Sequence, residues 1–120
     1  MDNIYYARKY VEIFPEYKIE LEEHLDDYGE FLGHVFFGTV IDVNLVELLK
    51  TESDISRIKK IFHFINDTYA NGEEYIQNVI VVTILEYLGD DPIILKKAFK
   101  YLSNELKNAS YDIEKQLGKN

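Results

Sequence analysis

Apolar side chains recur at the three- and four-residue spacing of an α-helix almost throughout the chain, and that periodicity limits the fold more than any other feature. Ile4, Ala7, Tyr10, Val11 and Phe14 share one helical face. Pro15 ends that segment, because a residue ahead of proline is pushed out of the helical region, and it suits the first turn of the next helix. The second helix has Tyr17, Leu21, His24, Leu25 and Tyr28 as its core face and Gly29 as its C-terminal cap. Between Glu30 and Lys50 the reading divides. Gly33 and Gly38 bracket His34-Val35-Phe36-Phe37, as one turn of helix or as a buried loop. From Thr39, a candidate cap, the positions Val40, Ile41, Leu45, Leu48 and Leu49 return to helical spacing.

Ser53-Asp54 opens a helix that buries Ile55, Ile58, Ile61, Phe62, Ile65 and Tyr69, and Asn71-Gly72 breaks it. Glu73 to Leu88 follows, apolar on nearly all sides between Ile76 and Leu85. Its β-branched run Val79-Ile80-Val81-Val82 competes as a strand. Strands average about 5–6 residues, however, and the chain offers no second candidate to pair with it. A buried central helix closed by Gly89 is therefore expected. Asp91-Pro92 starts a helix with Leu95, Ala98, Phe99, Leu102 and Leu106 inward, and Ser110 starts a short last one ending near Leu117-Gly118. The starts near positions 54, 73 and 92 are evenly spaced, as in helical-hairpin repeats of the HEAT type. A chain of 120 residues supports one core. The predicted fold is a single all-α domain over 1–120, with six to seven antiparallel helices that could form HEAT-like hairpins.

Charge is unevenly distributed. The formal net charge is −9, and the segment Glu12 to Glu30 holds eight acids (Glu12, Glu16, Glu20, Glu22, Glu23, Asp26, Asp27, Glu30) against Lys18 alone. From Lys96 to Lys119 six lysines outnumber Glu105, Asp112 and Glu114. An acidic balance argues against nucleic acid and against an anionic membrane surface, since Lys and Arg supply most phosphate affinity. It favours a basic partner, drawn in over a long range. On a helical wheel the second helix places Asp26, Glu30 and Glu23 opposite the core stripe, with Glu16 and Asp27 beside them and Ile19 in their midst. An apolar side chain ringed by carboxylates has the form of an interface anchor with a charged rim, although single exposed apolar residues are also ordinary.

Catalytic candidates are few. Cysteine is absent, which removes disulfides, zinc-thiolate sites and thiol chemistry. The opening residues Met1 to Tyr6 lack a basic stretch leading into an apolar one, and no apolar run reaches a membrane-spanning length, so a cytoplasmic location is expected. His63, between Phe62 and Phe64, reads as a boundary residue. Glu20, His24 and Asp27 lie at spacings that line one side of a helix, which permits metal ligation; the alternative is a solvated acidic edge. His34, between two glycines in an apolar stretch, is either an acid–base group or a structural residue holding a loop by a backbone hydrogen bond. No catalytic residue, metal or cofactor is assigned.

Three stretches taken together resemble a known group. They are Phe14-Pro15-Glu16-Tyr17 ahead of the acidic helix, His34-Val35-Phe36-Phe37-Gly38 after it, and Asn78 to Asp91 with Leu85-Glu86-Tyr87-Leu88-Gly89-Asp90-Asp91. Their order is similar to that in small helical immunity proteins encoded beside bacterial polymorphic or contact-dependent toxins. The resemblance implies a non-enzymatic protein that binds and neutralises a cognate toxin, many of which are nucleases with basic clefts. The expected partner-binding residues are Glu16, Ile19, Glu20, Glu23, Asp26, Asp27 and Glu30. A helical adaptor domain without a toxin partner is the rival reading.

Overall fold

Helix boundaries follow from a few side chains at the segment ends. The computed structural model describes residues 4–118, and seven helices lie among them. Helix α1 is Ile4–Ile13. A 3₁₀ turn, Pro15–Tyr17, leads into α2, Lys18–Tyr28, which Gly29 closes in the left-handed conformation (φ 69°) that its missing Cβ makes easy. Helix α3 runs without a break over 33–51, and α4 is Ile55–Asn71. Asp54 caps α4 by accepting from the Arg57 N–H at 3.0 Å. Helix α5 covers 74–89, α6 is Pro92–Ala98 with Asp91 accepting from Ile93 N–H, and α7 is Asn104–Gln116. The Val79–Val82 run lies inside α5, as a helix and not a strand.

Helices α3 and α5 each contain a wide π turn, at Gly38–Asp42 and at Ile80–Leu85. Their buried positions explain why. In α3 the buried residues include Gly33, Phe37, Ile41, Leu45 and Leu49, and in α5 Ile76, Ile80, Ile84 and Leu88, each series in strict steps of four. On an ideal helix of 3.6 residues per turn, every step of four drifts by about 40°, so such a stripe soon rotates off the core. A π turn takes up the excess and keeps the stripe pointing one way. The two π turns pack against each other where α3 meets α5.

Helix α5 is central, packed against α3, α4, α6 and α7. Gly89 at its end is buried, and a Cβ there would collide with the Glu114 carboxylate of α7, so glycine permits the close approach. A second cluster ties α1 to its neighbours: the Tyr10 ring meets Phe14 and Phe64 at 4.9 Å each and Phe37 at 6.3 Å. The radius of gyration, 13.9 Å, is that of one closely packed domain, for which about 13.6 Å is expected. No described helix is long and apolar enough to cross a membrane.

Several local expectations need correction. The segment around Gly33 and Gly38 is neither a loop nor an isolated turn, and Thr39 is no cap, because its hydroxyl donates to the Val35 carbonyl in mid-helix. Tyr28 and Ile55 are 50% and 38% exposed, not core residues, while Phe64 is buried. The predicted helix from Asp91 to Leu106 breaks after Ala98, and the last helix starts at Asn104 rather than Ser110, which is buried within it. Ser103 forms the new cap, accepting from Leu106 N–H, and Asn66 of α4 staples the corner. Its Nδ2 donates to the Tyr101 carbonyl at 2.9 Å and its Oδ1 accepts from Ser103 N–H at 3.0 Å. Helix α6 thus ends after seven residues, and the even spacing of helix starts does not continue as a repeat. Asn66→Ala removes both bonds and should cost about 2 kcal/mol, read as a lower urea midpoint with an unchanged slope.

Candidate functional site

The acidic helix α2 sits at the edge of the domain. Leu21 and His24 are its buried residues, and they face inward together with half-buried Leu25. Its entry turn is fixed by Arg57 of α4, whose guanidinium lies 4.7 Å from the Phe14 ring centroid and 2.7 Å from Glu16 Oε1. The Arg57 bond holds the Glu16 carboxyl below its ordinary value. Tyr17 is tied to α3, accepting from Asn44 Nδ2 at 2.8 Å. The far end is held by His24: the Leu32 N–H donates to its Nε2 at 2.9 Å. That bond requires an unprotonated Nε2, and burial lowers the imidazole pKa accordingly, against the opposing pull of Asp27.

The predicted partner-binding residues separate into three groups. Glu16 is exposed but engaged with Arg57. Asp26 and Glu22 are exposed on α2 and Ile19 is 63% exposed, whereas Glu30, expected on the same helical face, lies past the left-handed Gly29 cap, exposed but off the helix. Glu20, Glu23 and Asp27 come together at a cleft of about 190 Å³ between α2 and α3, walled by His24, Tyr28 and Phe36. Val35 and Thr39 complete its α3 side. Glu23, Asp26, Asp27 and Glu30 have no ion-pair partner among the described residues, whereas Lys9, Lys97, Lys100 and Arg57 are all paired elsewhere. Lys97 reaches the C-terminal carbonyls of α3 at Leu49 and Lys50, and both Lys97 and Lys100 pair with Glu52. Part of the basic end of the chain therefore serves as a helix cap.

Two chemical alternatives from the sequence change. His24 is committed to the backbone, and among the described residues no group of three or more His, Cys, Asp or Glu is placed to hold a metal ion. The Glu20–His24–Asp27 edge is therefore one wall of a cleft. His34 holds no loop: it is exposed on α3, with Nδ1 2.8 Å from Thr83 Oγ1 of α5, and the loop-holding histidine is His24. His63 is exposed.

One residue escaped the sequence reading. Asp42 is 7% exposed within the π turn of α3, and its Oδ1 has no hydrogen-bond partner. Burial pushes its carboxyl up to about 8. His34, Gly38 and Asp42 follow one another at steps of four along α3, so an acid at that register position was the available signal.

No curated protein and no solved structure matches the chain. One family profile covers residues 7–118, nearly its whole length, and the protein belongs to that family, the domain of unknown function DUF7674.

Proposed function

We propose that this protein is a cytoplasmic immunity protein that neutralises a basic toxin domain, a nuclease in the simplest case, by stoichiometric binding through the outer face of α2. The observation that carries the reading is the set Glu23, Asp26 and Asp27 on an edge helix, with Glu30 just past its Gly29 cap, all exposed like Ile19 and without an ion-pair partner among the described residues. Carboxylates this dense on one helix repel one another, and each pair four apart costs a few tenths of a kcal/mol on its own. A partner that brings its own lysines and arginines converts that cost into charge-assisted bonds and is captured quickly. Ile19 then supplies an apolar contact within the charged rim.

A growth assay tests the reading. Each open reading frame neighbouring this one is induced alone and together with it. The expected result is one neighbour that arrests growth alone and is tolerated when this protein is present. Absence of any toxic neighbour would overturn immunity and favour an adaptor domain.

A further inference from the structure

We propose that the gap beside Gly38, where the π turns of α3 and α5 meet, is a binding site for a primary ammonium group. The site lies on helices other than α2 and is independent of the acidic-face reading. Gly38 has ordinary helical dihedrals (φ −59°, ψ −42°) inside α3, where glycine weakens a helix. A Cβ built there would meet Thr83 Cγ2 at 3.5 Å and Asp42 Oδ2 at 3.8 Å, both ordinary contacts. Every other described glycine has a positive φ or would crowd a neighbour with its Cβ. Neither conformation nor packing therefore calls for glycine at this position, and alanine would simply fill the gap.

The missing side chain leaves Asp42 uncovered. That residue is 7% exposed; its Oδ1 is sealed from water without a partner, whereas Oδ2 is not sealed and faces the gap. A buried carboxyl with unused acceptor capacity gains from a donor that a ligand brings. Thr83 borders the same gap, with its Oγ1 2.8 Å from Nδ1 of the exposed His34. Gly38 and Thr83 are only half-buried, so a solute can reach the opening.

The chemistry narrows the ligand. A carboxylate calls for a cation with N–H donors, and an opening the size of one methyl group suits a compact ammonium better than the wide planar fork of a guanidinium. Calcium and magnesium take about six oxygens or more, and the gap offers Asp42 and Thr83. A donor shifted about 1 Å from the Cβ position toward Asp42 comes within hydrogen-bond distance of Oδ2.

The test titrates methylammonium and Nα-acetyl-lysine methylamide into the full chain at about pH 8.5, above the Asp42 value. The NMR signals of the Asp42 carboxyl carbon and the Thr83 methyl are followed. Methylammonium should shift both saturably, and tetramethylammonium, which has the charge but no N–H, should bind at least about fivefold more weakly. Gly38→Ala should weaken methylammonium by at least about tenfold while its urea midpoint does not fall. A response to the lysine derivative as well would assign the site to a lysine of a protein partner, and a response to methylammonium alone to a free amine. Equal binding of tetramethylammonium, unchanged binding in Gly38→Ala, or no response to either amine would overturn the site.

Discussion

Asp42→Asn should flatten the dependence of stability on pH and make the protein more stable than wild type in alkaline solution. In the unfolded chain the Asp42 carboxyl has an ordinary value near 4, and in the folded protein burial raises it to about 8. The folded state therefore holds a proton that the unfolded state releases. Stability falls as pH rises from about 4 to about 8 and levels off above that. At roughly 1.4 kcal/mol per pH unit, the loss over this interval is on the order of 5 kcal/mol, a large part of the stability of a domain this size. The cause is desolvation of the carboxylate by burial. Asparagine copies the shape of the neutral acid, so the variant should match wild type at about pH 4 and exceed it by several kcal/mol at pH 9. Urea melts at the two pH values check this. An identical pH profile in both proteins would show that Asp42 ionises freely in the native state.

The second large effect is expected at the partner face. Reversing Glu23, Asp26, Asp27 and Glu30 to lysine should weaken the partner complex by at least about 100-fold, while helical circular dichroism stays as it is. These four side chains are exposed and make no ion pair with a described residue, so the fold does not depend on them. Glu16 is a different case despite sharing the acidic segment. Its carboxylate holds Arg57, which in turn covers the Phe14 ring, so Glu16→Lys should lower the melting temperature without testing the interface. Partner binding that survives the fourfold reversal would remove the outer face of α2 from the account.

These two residues sets differ in how plainly the sequence announced them. The helices were legible because spacing, two prolines and a few caps marked them, and Asp54 and Asp91 cap where they were expected to. The acidic helix was legible for the same reason, since a surface face needs only composition and period. What failed was everything that depends on a partner far away in sequence. The corner after Ala98 exists because Asn66, on another helix, satisfies both Tyr101 and Ser103, and apolar spacing ran straight through it. Gly38 looked like a break because glycine is a poor helix former, yet the packing of α3 on α5 holds it in a continuous helix. Asp42 was hidden by the π turn at the same place, although its position four residues beyond Gly38 and eight beyond His34 was the available signal. The three stretches that carry the likeness to immunity proteins turn out to be largely core and corner. Phe14, Phe36, Phe37 and Leu85 are buried, so these words speak for the fold, and the α2 face lies between them.

The most direct measurement is a paired co-purification. Tagged wild-type protein and the Glu23, Asp26, Asp27, Glu30-to-lysine variant are each expressed with the neighbouring open reading frames, and each complex is washed in rising salt. The account predicts that wild type retains one basic polypeptide at equal stoichiometry, that salt weakens the complex, and that the variant retains none of it. A partner held equally by both proteins, or held without regard to salt, would contradict it.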